Sequence, residues 1–230
     1  MSAISVEERY QFMSERESVI MKDWAAGSRG QIQERELVIL KEGGQYRGEF
    51  RDVTYSPAWW KIIDEPIVNA LDHLIRQLGS NNEVSEIRVS FSQDGRVEVF
   101  NNGEGIEIEI HKVASERFGQ TTYVPTFIFG KLFQGSNTRR SADSIIGGTN
   151  GLGAKLSNCF STEFIVETAR GNKKFTQRWY DRMEHCDDPI ITNYRGRSYT
   201  KVSFTPDYVG LFGYKAFTRE IHAELEPLIR

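Results

Sequence analysis

The chain has 230 residues, 39% of them hydrophobic and 12% aromatic, which is enough to bury a sizeable core within one domain. A formal net charge of −3 and a pI near 5.9 argue against a domain that grips nucleic acid strongly by counterion release. Two cysteines, Cys159 and Cys186, cannot build a disulfide framework, and there is neither an apolar run of about 18 residues nor a signal-like start, so an intracellular protein with free thiols and no membrane partner is expected.

The first predicted element is a polar helix over roughly residues 6–23, whose weak apolar stripe suits packing on a domain flank or on another copy. RELVIL (35–40) and EFRDVTYS (49–56) read as strands. The run PAWWKIIDEPIVNALDHLIRQLG (57–79) is a helix, with Pro57 in its first turn and Gly79 as its stop. At about 100° per residue Glu65, Asn69 and Asp72 share one narrow arc with Arg76, while Trp60, Ile63, Ile67, Leu71 and Leu74 lie opposite as the expected core face. An ionised Glu can only accept, so it can orient a water and take its proton, and an Asn carbonyl one turn on can ligate a hard cation. An ordinary solvated helix face has the same composition. Pro66 inside the helix frees the carbonyl of Ile62, so a bend is expected there.

A two-strand unit follows, IRVSFSQDGRVEVF (87–100) turned at Asp94 and Gly95, and the chain then breaks at Asn101, Asn102, Gly103 and Gly105. An Asn at such a break can present its carbonyl to an exocyclic amine, as an adenine site does, although Asn-Asn-Gly also serves as a plain hairpin turn. A helix is predicted after Pro125, with Phe127, Phe129 and Phe133 as core. The loop GGTNGLGAK (147–155) packs four glycines, an asparagine and a lysine into nine residues ahead of a helical run, LSNCF. Such a loop lets backbone N–H groups close around an anion at a helix start, and it equally serves as a glycine-rich turn kept for packing. Strands EFIVETA (163–169), KFTQRWY (174–180) and SYTKVSF (198–204) come next, then a final helix from near Tyr214. The mix predicts an α+β, two-layer sandwich: a twisted, mostly antiparallel (mixed) sheet with helices on one face.

The ordered words DExxxNAxDH (64–73), NNGxGI (101–106), YVPxxIFGxLxxxSN (123–137) and GGxNGxGAKLxNxFSxxFxVET (147–168) resemble the ATPase domain of eukaryotic and viral type II topoisomerases. That domain belongs to the Bergerat-type (GHKL) group, which includes gyrase, MutL repair proteins, heat-shock chaperones and histidine kinases. The likeness covers about residues 46–207. It implies ATP and Mg²⁺ as ligands, with Glu65 as general base and Asn69 as both nucleotide contact and metal ligand. It further implies that Asn101 and Thr200 read adenine, that His73 contacts phosphate or ribose, and that Ser136 and Asn137 reach the nucleotide from a lid. Thr149, Asn150, Gly151, Leu152, Gly153 and Lys155 would surround the phosphates. Domain bounds of 1–45 for an N-terminal arm and 46–230 for the ATP-binding unit are expected. So are a homodimer closed through the ATP-bound arm, further topoisomerase domains or subunits, and weak contact with a transported DNA duplex.

The chain departs from the family pattern at several positions. Pro66 stands where an aliphatic residue is usual, His73 where an Asn often serves, and Thr149 where an Arg would supply a bidentate donor. Ala25 occupies the place of a Tyr that reaches a partner's nucleotide, leaving Trp24 as its candidate substitute. ASERFGQTT (114–122) is longer than the family's connection and reads as a tolerated surface loop. In the family a following domain carries a lysine that reaches the γ-phosphate, so weak turnover and no DNA cleavage are expected of this chain alone. Alternatives are a nucleotide-binding module without significant turnover and a MutL-like repair ATPase, whose sequences lack the words around 123–137 and 147–156.

Overall fold

The computed structural model describes residues 5, 9, 12–133 and 152–230. Helix α1 (Glu15–Met21) begins in a capping box: Ser14 Oγ accepts from the Glu17 N–H at 3.2 Å, and the Glu17 carboxylate accepts from the Ser14 N–H at 2.8 Å. Its Val19 and Ile20 are buried in the main core, so the described part of the polar N-terminal helix packs on the flank of its own domain.

Strands β1 (Ile32–Glu42) and β2 (Gln45–Tyr55) form a separate hairpin, longer than the two predicted strands and spanning the expected domain boundary. Gly43 and Gly44 both take positive φ, as the two-residue turn between twisted strands requires. Val38, Val53 and Tyr55 turn inward, whereas Leu37 and Phe50, cross-strand partners on the other face, are exposed.

Helix α2 (Pro57–Gln77) starts as predicted, with Ser56 Oγ accepting from the Trp59 N–H at 3.3 Å and Pro57 in its first turn. It runs unbroken through Pro66, and the carbonyl of Ile62 freed by that proline accepts a hydrogen bond from Ser157 Oγ at 2.7 Å. The buried stripe differs from expectation: it is Trp59, Ile62, Ile63, Pro66 and Ala70, while Trp60 and Leu71 are the exposed members of the predicted core face. The reason is that the polar arc borders a cleft: Asn69, itself exposed, lines it, and Asp72 from the same arc is buried, so the buried stripe lies beside the polar arc instead of opposite it.

The main sheet has the order β3 (Ile87–Phe91), β4 (Val97–Asn102), β9 (Tyr199–Pro206), β5 (Ser161–Arg170), β6 (Lys173–Tyr180) and β7 (His185–Cys186), with β8 (Ile190–Asn193) also paired to β6. Every pair among the described residues is antiparallel. Cross-strand partners share a face, so the register writes the core as rows. One row is Phe91, Val97, Phe204, Phe164 and Trp179, and the next is Val89, Val99, Val202, Val166 and Gln177. Gln177, buried, accepts from the Thr126 hydroxyl at 2.7 Å. The other face is charged and ion-paired, with Glu163 between Arg96 and Arg178 and Lys201 beside Glu98 and Glu167. This is the predicted two-layer sandwich.

Three differences are local. Helix α3 (Lys112–Phe118) replaces most of the expected surface loop; His111 Nδ1 accepts from the Ala114 N–H at 3.2 Å at its start, and Gly119 at φ +65 ends it. After α4 (Val124–Gly130) and α5 (Gly153–Cys159), the last helix, α6, spans Arg219–Ile229 and so begins later than predicted, because Thr218 caps it. Phe129 is buried as expected, but Phe133 is 40% exposed and stacks on Trp24, ring centroids 6.3 Å apart and 16° from parallel.

Candidate functional site

A cavity of about 560 Å³ opens between α2, the 101–107 loop, α4 and the start of α5, with the sheet as its floor. The floor follows from strand register. The third row of the inner face is Ile87, Asn101, Thr200, Thr168 and Phe175, one pairing step beyond the two apolar rows, and it brings three polar residues together where the core pattern would place aliphatic ones.

Thr168, fully buried, organises this row. Its hydroxyl donates to the Tyr199 carbonyl at 2.9 Å and accepts from the Ile106 N–H at 3.0 Å. Having spent its one proton, it can only accept in its 3.1 Å contact with Thr200 Oγ1. The Thr200 hydroxyl therefore donates inward and keeps its lone pairs for the cavity. Asn101 Nδ2 donates to the Asn102 carbonyl at 2.9 Å, leaving Oδ1 as the acceptor for an incoming N–H. Gly105 seals the loop onto β5: a Cβ there would stand 2.1 Å from the Ala169 carbonyl oxygen.

At the other end α2 meets α5. A Cβ built on Gly153 would lie 3.3 Å from Glu65 Oε2 and 3.6 Å from Asn69 Nδ2, so the bare glycine lets the carboxylate and the carboxamide converge on the opening turn of α5. Glu65 Oε1 is paired with Lys61 Nζ at 2.7 Å, one helical turn earlier. Lys155 is 3% exposed and lines the cavity, and burial holds its ammonium down to about 8, with Cys159 a lesser influence in the opposite direction. His73 also lines the cavity. Burial first and the neighbouring Arg76 second depress its pKa, so its ring is neutral near pH 7, and its Nε2 is buried without a hydrogen-bond partner among the described residues.

Thus Asn69, His73, Asn101, Leu152, Gly153, Lys155 and Thr200 line one cavity, with Glu65 at its α5 end. Ser136, Asn137, Thr149, Asn150 and Gly151 lie outside the described residues. Sequence reasoning missed Lys61, whose signal was the four-residue spacing to Glu65, and Thr168, which only the register of β5 against β9 reveals. It also missed Arg170, which ion-pairs with Glu104 at 2.6 Å and Glu107 at 2.7 Å across the cavity mouth.

The arrangement suits a magnesium nucleotide. Acceptors on the floor match an amine-bearing base, the orphaned His73 Nε2 awaits a polar partner, and the space over Gly153 is bordered by a carboxylate, an amide oxygen and a lysine, the donor set for a hard cation and an anion together.

Residues 57–207 match the family of histidine kinase-, DNA gyrase B- and HSP90-like ATPases. The chain is 39% identical over 208 residues to DNA topoisomerase 2 of Penicillium chrysogenum, covering 89% of this chain and 12% of that protein. It is 37% identical over 213 residues to DNA topoisomerase 2 of Acanthamoeba polyphaga mimivirus, covering 89% and 16%. The crystal structure of the ATPase region of Saccharomyces cerevisiae topoisomerase II superposes with a TM-score of 0.81 at 34% identity, covering 98% of this chain and 56% of that one. No helix among the described residues is long and apolar enough to cross a membrane.

Proposed function

The chain belongs to the histidine kinase-, DNA gyrase B- and HSP90-like ATPase family, a family of nucleotide-binding domains, and from that premise we propose that it is the ATP-hydrolysing gate module of a type II DNA topoisomerase. The observation that carries the proposal is the convergence of Glu65 and Asn69 on Gly153 at one end of a cavity whose other end presents Asn101 and Thr200.

Adenine lies against the floor, its exocyclic amine donating to Asn101 Oδ1 and Thr200 accepting directly or through water. The phosphates reach the opening of α5, where backbone N–H groups and the Lys155 ammonium meet their charge. Glu65 accepts the proton of the water that attacks the γ-phosphorus, and ADP and phosphate leave. Lys61 holds the carboxylate in place through its ion pair. Asn69 would hold Mg²⁺, which would supply charge neutralisation for the phosphates. His73 borders the phosphate or ribose.

Residues 1–45 form the arm through which two ATP-bound copies close, and 46–230 the ATP-binding unit. The chain spans 12% and 16% of the two curated relatives, so DNA passage belongs to a larger assembly in which this domain touches the transported duplex weakly. The test is Glu65→Ala: hydrolysis should vanish while binding of a non-hydrolysable ATP analogue stays within about threefold. An unmodified chain that binds ATP without turnover would instead be a nucleotide-sensing module, and one that takes up no magnesium nucleotide at millimolar concentration would refute the proposal.

A further inference from the structure

Pro66 and Ser157 form a pair that no motif describes. In an α-helix the carbonyl of residue 62 points at the N–H of residue 66, so its oxygen lies within the turn that carries Glu65. Proline has no N–H to offer, and the Ile62 oxygen is fully buried beyond the reach of water, a position in which an unmade hydrogen bond is costly. The bond is supplied from the neighbouring helix: Ser157 Oγ, itself 0% exposed, donates to it at 2.7 Å. Ser157 is in turn fixed, because its own carbonyl accepts from Ser161 Oγ at 2.6 Å.

Ser157 lies one turn beyond Gly153, the residue whose bare Cα faces Glu65 and Asn69. Helices α2 and α5 are therefore registered at two points one turn apart, at Gly153 against Glu65 and at Ser157 against Ile62. A slide or rotation of either helix that keeps one contact breaks the other. With any other residue at 66, α2 would satisfy Ile62 internally and the carbonyl would no longer depend on Ser157.

We infer that Ser157 is a positioning residue for ATP hydrolysis, holding the Glu65 turn in register with the helix that opens beneath the phosphates through a hydrogen bond that Pro66 makes available. This rests on the proposed function. It predicts coupling: removing the hydroxyl misplaces the base only while Pro66 is present, since an N–H at position 66 restores the bond within α2.

The experiment is a double-mutant cycle on the whole chain, with single-turnover ATP hydrolysis and analogue titration measured at a temperature where circular dichroism shows every variant folded. Ser157→Ala should lower the hydrolysis rate about tenfold or more, with analogue affinity changed less than about threefold. In the Pro66→Ala background the same substitution should cost less than about twofold. Ser157→Cys, a weaker donor of similar size, should fall between and covers the case in which the alanine variant does not fold. Equal losses in both backgrounds, or an unchanged rate in Ser157→Ala, overturn the inference. A unit that loses rate and affinity together shows a general structural role and also overturns it. An unmodified chain that does not hydrolyse ATP removes the proposed function, and this inference falls with it.

Discussion

Nucleotide affinity should fall as pH rises through 8, and Lys155 is the reason. Burial disfavours its ammonium and brings it down to about 8, where an ordinary lysine titrates near 10.5. An anion beside it favours the charged form, so binding takes up a proton whenever the empty site has lost one. If the bound lysine returns toward its ordinary range, observed affinity tracks the charged fraction of the empty site: about 90% at pH 7 and about 10% at pH 9, a roughly tenfold weakening. Cys159 is pushed up to about 12, His73 is held below its usual range, and a phosphate ester has lost its second proton near pH 6. The assay is titration with a non-hydrolysable ATP analogue and magnesium at pH 7, 8 and 9 at constant ionic strength. Stability of the empty chain should move the other way. Between pH 8 and 9 the unfolded state holds the proton that the folded state has shed, so folding is favoured as pH rises, by an amount on the order of 1 kcal/mol. Lys155→Met should flatten both slopes. Affinity that is level from pH 7 to 9, or a slope that survives Lys155→Met, refutes the reasoning.

Lys61→Met should lower the hydrolysis rate about tenfold by releasing the Glu65 carboxylate, while the melting temperature barely moves, since an ion pair whose lysine is 44% exposed contributes only about 0–1 kcal/mol; equal losses of rate and stability would argue against an orienting role. Gly105→Ala places a methyl group against the Ala169 carbonyl oxygen, and the 101–107 loop must lift off β5 to admit it, so a loss of about 1–3 kcal/mol in urea unfolding and weaker analogue binding are expected together. Thr168→Val leaves the Ile106 N–H and the Tyr199 carbonyl without their partner and frees the Thr200 hydroxyl to turn, which should cost about 1–3 kcal/mol in stability and reduce the preference for ATP over GTP in competition titrations.

What could be read from the sequence follows the range of the interactions involved. Caps and punctuation act over a few residues, and Pro57 and Gly79 bounded α2 correctly. Alternation along single strands located β3, β4, β5, β6 and β9, and the motif words assembled Asn69, Asn101, Gly153 and Lys155 before any register was known. The core face of α2 was misjudged because periodicity separates polar from apolar arcs but does not say what a polar arc faces. Here it faces a cavity, which drew Ile62, Pro66 and Ala70 into the core and left Leu71 outside. Thr168 was invisible for another reason. A threonine in EFIVETA is an ordinary strand residue, and its importance arises only from lying between Thr200 and the Ile106 N–H, partners 32 and 62 residues away.

The site residues share a structural logic, which is that each takes a place the surrounding pattern would give to an apolar group. Asn101, Thr200 and Thr168 continue rows that are otherwise Val99, Val202 and Val166 or Val97, Phe204 and Phe164, while Gly105 withholds a side chain where two backbones meet and Gly153 where the Glu65 and Asn69 side chains converge. The cavity is therefore an unfilled part of the same core and not a groove laid over it. Its apolar wall, Val99 and Val202, belongs at once to the packed row beneath and to the surface a base would lie on. Binding and stability are coupled by that sharing: a ligand that covers the wall completes the burial of a row that the fold leaves half open. Polar substitutions confined to the site can separate affinity from rate, but shortening Val99 or Val202 must weaken the empty fold and the complex alike.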